Sequence, residues 1–388
     1  MKVKNISFVS LILLIASLVA VQQSLAQIPC GPTILPSAAL FVNWSQFQYD
    51  SGHSGCNPYE TILSTSTVQN LSPKWLWSEV APFSSPVVAN GFVYSSRSSN
   101  IDFPGAIFAL HASKGDGGWD YTTFRNDFSS PAVGNGMVYA GATDSNLYAL
   151  DAGSATLLWT YATGAPVSTP VVAGGAVFAG SEDRNLYALD AVTGALLWSY
   201  TSGGTIFSAP AVVNGVVYVS SDQLYALNAN TGALIWKYPI SPHSSPAVVR
   251  NVVYAGYDQV YALNASTGAL IWKYPATAST TPAIANGMVY VGSGDGNIYA
   301  LNASSGILTW KYAMQDDQVN SPAVANGVVY ATSDQYLRAL DAKTGALLSV
   351  LATGFGTSSP AVANGIVYVG STTDGSNGRI YAFSLNGH

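Results

Sequence analysis

A proline recurs through this 388-residue chain at intervals that only a repeated structural unit explains. Pro86, Pro131, Pro170, Pro210, Pro246, Pro282, Pro322 and Pro360 are separated by 45, 39, 40, 36, 36, 40 and 38 residues. Each opens the same pattern, clearest in the third unit. There an apolar run starts at Pro170, crosses Gly174-Gly175 and ends at Gly180, followed by Asn185-Leu-Tyr-Ala-Leu-Asp190, a Thr193-Gly194 step and Leu196-Leu-Trp-Ser-Tyr200. A fixed period of this length marks stacked units, none of which buries its apolar face alone.

Four short strands fit each unit. Ser/Thr-Pro-Ala-Val is the first, and an Asn-Gly step, as at Asn90-Gly91, Asn135-Gly136, Asn214-Gly215 and Asn286-Gly287, is a tight hairpin into the second. Alternating Tyr-Ala-Leu forms the third, and Leu-x-Trp-x-Tyr the fourth. The β-branched content, the period-2 alternation and a Gly or Pro every few residues exclude helix. The unit therefore has the length and punctuation of a four-stranded β-propeller blade, and eight are present. The last, from Pro360 to Leu385, has room for three strands, while Lys74-Trp-Leu-Trp77 is a fourth strand with nothing before it. This predicts an eight-bladed all-β propeller over residues 73–388, closed by the N-terminal strand, with Trp75 in the blade of Pro360 and Tyr381.

The spacing Ala-x6-Trp recurs at Ala112/Trp119, Ala152/Trp159, Ala191/Trp198, Ala229/Trp236, Ala265/Trp272 and Ala303/Trp310, with Gly at the intervening turn in all but the second. This resembles the tryptophan-docking motif of the pyrroloquinoline-quinone (PQQ) repeat propellers, and the resemblance covers residues 73–385. It implies that Trp75, Trp119, Trp159, Trp198, Trp236, Trp272 and Trp310 pack against the next blade, as core rather than as cofactor-stacking residues. Unit seven departs from it, with Ser349 at the tryptophan position and Arg338 where others carry Tyr or Phe. Drift beside the ring closure accounts for this; a local binding groove is the alternative.

Enzymes of that family hold PQQ near a disulfide between adjacent cysteines, with a calcium ion bound by Glu, Asn and Asp beside a catalytic Asp. Here Cys30 and Cys56 lie far apart, the glutamates are Glu60, Glu79 and Glu182, and Cys-x-x-Cys-His is absent. Asp144-Ser-Asn146, Asp183-Arg-Asn185 and Asp295-Gly-Asn297 stop short of a calcium loop and sit where hairpins must turn. No Gly-x-Ser-x-Gly elbow or phosphate-binding glycine loop is present. We assign no catalytic, metal or cofactor residue. A non-catalytic binding scaffold is the expectation, and a reduced PQQ-dependent dehydrogenase with calcium, acting on an alcohol or sugar, is the alternative.

Residues 1–26 read as a signal peptide, with Lys2 and Lys4 before an apolar run and small residues Ser24 and Ala26 before Gln27. Removing it leaves 12 basic against 20 acidic residues, a net charge of −8 that makes nucleic acid a poor partner. The expectation is a secreted, extracellular or periplasmic monomer with no membrane span. Residues 27–72 form an arm in which Cys30 and Cys56, the two cysteines of an exported chain, are expected to pair. In an antiparallel blade the hairpins alternate between the two faces of the disc. The longer, more varied loops fall on the face opposite the Asn-Gly turns, where propellers place function. Arg125, Asp127, His243, Asp316 and Asp317 lie in these loops and are the candidate site for a protein or carbohydrate ligand.

Overall fold

A computed structural model describes residues 43–80, 83–99, 103–123, 126–242, 244–278, 280–315, 319–372 and 377–385. The predicted signal peptide and Cys30 lie outside these residues. Eight antiparallel sheets form the blades, each running from an inner strand of three residues to an outer strand, in sequence order in the first seven. In blade four the strands are Ala211–Val213, Val216–Ser220, Leu224–Asn228 and Leu234–Tyr238. Blade eight has the inner strands Ala361–Ala363, Ile366–Thr372 and Asn377–Leu385, and its outer strand is Leu71–Val80 from the other end of the chain. Leu76 pairs with Tyr381 in this closure. No blade is left open, so the ring offers no exposed inter-blade edge.

The local chemistry follows the repeat. Both residues of the first hairpin turn are left-handed, as at Asn214 (φ 52°) and Gly215 (φ 75°), which suits the right-handed twist of the flanking strands. The Thr-Gly step has a different reason for its glycine. Gly268 has φ 70°, and a Cβ there would meet the Trp236 indole of the previous blade at 2.8 Å. Blade two accommodates Ala155 at that position, with φ 59°.

Blades are joined by indoles and hydroxyls. The Nε1 of Trp236 donates to the Ala265 carbonyl of the next blade at 2.7 Å, and Trp75, Trp119, Trp159, Trp198, Trp272 and Trp310 make the same bond to Ala112, Ala152, Ala191, Ala229, Ala303 and Ala342. A second-strand tyrosine shares each of several of these carbonyls: Tyr218 donates to Ala265 and Tyr290 to Ala342. The Ser/Thr-Pro step serves the opposite side. Ser245 accepts from the Ala209 N–H of the preceding blade and Ser321 from Thr281.

The seam between blades seven and eight breaks this pattern for a geometric reason. In blade eight the place of the docking alanine is held by Leu385, which stays in the strand, paired with Leu71, and whose carbonyl accepts from the Ser384 hydroxyl. Ser349 stands where the indole would be, and the buried Tyr330 hydroxyl has no partner. The turn Val68–Asn70 packs against the outer strand of blade seven instead. Arg338 is buried in the same blade, its guanidinium donating to Ser333 Oγ at 2.7 Å and lying 5.1 Å from the Tyr336 ring centre.

The described part of the arm fills the centre of the ring. Each inner strand turns the main-chain groups of its middle residue inward, and the arm satisfies one blade after another in order. Trp44 pairs with Val88, the Ser45 carbonyl accepts from Val133, and the Gln46 amide both donates to and accepts from Val172. The carbonyls of Ser51, Gly52, Ser54 and Gly55 accept from Val212, Val248, Ile284 and Val324, and the Asn57 amide donates to Val362. Cys56–Asn57 adds a short parallel strand to blade seven, making that sheet five-stranded. Glu60 is buried, its carboxylate accepting from the N–H groups of Ile62, Leu63 and Gly365.

Candidate binding faces

The two faces of the disc differ because their loops do. Most first and third hairpins are set by the repeat, so the Asn-Gly face is nearly uniform. The other face carries the second hairpins and the blade-to-blade loops, which vary in length and composition.

On that loop face Asp127 ties blade one to blade two. Its Oδ1 accepts from the Ser99 N–H at 2.6 Å and the Ser99 hydroxyl at 2.9 Å, and its own N–H donates to Thr143 Oγ1 at 3.0 Å. Asp127 also lines a cavity of about 260 Å³ with Phe128, Thr143, Pro166, Glu182 and Phe207. The other four candidates, Arg125, His243, Asp316 and Asp317, lie outside the described residues. The structure therefore places one of the five.

The repeat aspartates of this face are already engaged. Asp183 accepts the Asn185 N–H through Oδ1 at 2.9 Å and the Tyr187 hydroxyl through Oδ2 at 2.7 Å, and Asp295 holds Asn297 and Tyr299 in the same way. The hydrogen bonds that it accepts outweigh burial and hold the Asp183 carboxyl below its ordinary value, while burial and the neighbouring carboxylate push the Tyr187 hydroxyl up to about 12. These carboxylates build hairpins. Among the described residues, no three His, Cys, Asp or Glu side chains converge to hold a metal.

Sequence reasoning missed four aromatic side chains. Phe103, Phe207, Tyr257 and Phe355 all project from loop-face connections and are 43, 69, 43 and 51% exposed. Most other aromatics stand at template positions inside or between blades, so large rings outside the template were the available signal.

At the ring centre, His53 is fully buried. Its Nδ1 lies 3.0 Å from the Pro246 carbonyl, which can only accept, so Nδ1 carries the proton. The opposite nitrogen has no partner, and burial pulls the imidazole down to about 4. Burial also raises Asp50, whose carboxylate accepts from the Gly52 and Ser54 N–H groups and the Ser54 hydroxyl.

A family profile described as outer membrane protein assembly factor BamB matches residues 64–171, 162–281 and 259–387. The chain belongs to this PQQ-like repeat family. Among solved structures, BamB from Moraxella catarrhalis aligns with a TM-score of 0.67 and 18% identity over 82% of this chain and 98% of that one. Quinohemoprotein alcohol dehydrogenase from Comamonas testosteroni aligns with a TM-score of 0.76 and 16% identity, over 89% and 81%. A europium-containing methanol dehydrogenase gives 0.73 and 15%, over 89% and 98%. At these identities the likeness is one of fold. A search of the curated proteins returns no matching sequence.

Solved structures of this fold thus include an assembly factor and dehydrogenases, which makes the fit of a quinone and its calcium a question for these residues. The arm occupies the ring centre and bonds to all eight blades, the repeat aspartates are taken by their own turns and tyrosines, and no metal cluster converges among the described residues. Among the described residues, the ring centre and the repeat aspartates are thus engaged by this chain's own groups.

Proposed function

We propose that this PQQ-like propeller is a non-catalytic binding scaffold of the cell envelope or exterior, engaging a protein partner through its loop face. The observation that carries this reading is the exposure of Phe103, Phe207, Tyr257 and Phe355 on the variable loops of one face. Aromatic rings on a rigid scaffold are the usual anchors of protein interfaces. The family description as an outer-membrane assembly factor agrees with a protein partner, and the export signal expected in residues 1–26 agrees with an envelope location. No helix among the described residues is long and apolar enough to cross a membrane. Arg125, Asp127, His243, Asp316 and Asp317, in other connections that the sequence assigns to that face, would supply the polar complement.

Cross-linking mass spectrometry on a pull-down tests the surface. Replacing Phe207 together with Arg125, His243 and Asp316 by alanine is expected to abolish capture of the partner while leaving the melting temperature nearly unchanged. Undiminished capture, or cross-links confined to the Asn-Gly face, would show that another surface is used. The dehydrogenase reading predicts dye reduction with simple alcohols or aldoses once PQQ and calcium are added; none is expected.

A further inference from the structure

A cavity of about 700 Å³ opens on the Asn-Gly face, between the arm and the first hairpin turns of blades four, five and six. Tyr49, Asp50 and Tyr59 of the arm line it together with Asn214, Arg250 and Asn286. Asn214 and Asn286 are what the repeat places there, each the first residue of an Asn-Gly turn. Arg250 is not. Blade five turns on Arg250-Asn251, with φ 49° and 63°, so an arginine holds a left-handed position that favours asparagine or glycine. Such a backbone cost persists where another requirement maintains it.

The electrostatics narrow what the cavity takes. The ion pairs among the described residues are Arg97–Glu79 and His111–Asp116, so the exposed Arg250 guanidinium is in none of them. Asp50 supplies the one carboxylate of the lining, held by the arm's own N–H and hydroxyl donors and facing no cation in those bonds. An anion attracted by Arg250 is repelled by Asp50, and a cation meets the reverse. A hydroxyl escapes this conflict because it both accepts and donates, and a guanidinium presents a fixed fork of donors to adjacent oxygens. Tyrosine rings add surfaces that are apolar on the face and polar at the tip. The volume is in the range of a small-ligand site.

We propose that this cavity binds a short neutral oligosaccharide, with Arg250 and Asn286 donating to its hydroxyl oxygens and Asp50 accepting from its hydroxyl groups. The site lies on the face opposite the partner-binding loops and stands independently of that reading. Saturation-transfer NMR and calorimetry on the mature chain with maltotriose, cellotriose and triacetylchitotriose test it, with diglycine and trigalacturonate as dipolar and anionic comparators. At least one neutral trisaccharide should bind saturably. Arg250→Asn, which supplies the residue that most other turns carry, should weaken it by about tenfold or more, as expected for losing a charged donor, with the unfolding midpoint unchanged or raised. The proposal fails if none of the three binds, if Arg250→Asn binds equally well, or if diglycine or trigalacturonate binds more tightly than every neutral sugar.

Discussion

The main chains of Trp44 and Val88 exchange two hydrogen bonds of 2.7 Å, and this pair begins a series in which the arm bonds to every blade in turn. The arm is thereby part of the core rather than an appendage to it. Trp44 is 1% exposed and packs edge-on against Tyr49 at 5.3 Å. Trp44→Ala should cost about 3–5 kcal/mol, the usual penalty for emptying a buried aromatic site. Urea unfolding would show it as a lower midpoint; an unchanged midpoint would mean that the arm contributes little to stability.

His53 makes the same region sensitive to acid. The folded pKa, about 4, lies below the unfolded value near 6.5. The contribution is therefore complete above pH 6.5 and is lost as the pH falls from there to about 4, by at most about 3 kcal/mol. Unfolding midpoints at pH 7.5, 5.5 and 4.5 should decline, and His53→Gln should flatten this part of the profile. A wild-type profile already flat over that window would contradict the assignment.

The indole bonds between blades predict a contrast. Trp236→Phe removes the donor to Ala265 and leaves that carbonyl short of one partner, which should cost about 1–2 kcal/mol. Ser349→Trp should give no gain, although it restores the repeat, because at the docking position blade eight keeps Leu385 in a strand paired with Leu71, its carbonyl already accepting from Ser384, in place of the alanine turn. A raised melting temperature for that variant would refute the seam argument.

Pairing of Cys30 with Cys56 remains a proposal, since Cys30 lies outside the described residues. Cys56 is buried beside Val324 in blade seven, so a cross-link there would fasten the arm to the ring. Peptide mapping without reduction should recover the linked pair, and Cys30→Ser should lower stability by about 3–4 kcal/mol in the chain-entropy picture. Full alkylation of both thiols in the unreduced protein would exclude it.

The legible parts of this protein were those written eight times. Proline spacing, Asn-Gly turns and the Leu-x-Trp-x-Tyr strand are local signals, and their incomplete last copy pointed to Lys74–Trp77 as the closing strand, which in the structure runs over Leu71–Val80. The candidate site was legible only as loop variation: Asp127 is seen lining a cavity, whereas Phe207 and Arg250, though foreign to the template, were missed in the sequence and emerged only from the structure.

Blade number, strand order and ring closure were thus determined by the sequence itself, because each turn and strand is specified by residues within a few positions of it. The path of the arm was decided by the tertiary structure alone. Asn57 reaches Val362 and Gln46 reaches Val172, partners 305 and 126 residues away. Most of the bonds that seat the arm run through main-chain atoms, which every residue possesses, so they impose no pattern on the sequence. They exist only once eight inner strands converge and leave their middle N–H and C=O groups facing one axis.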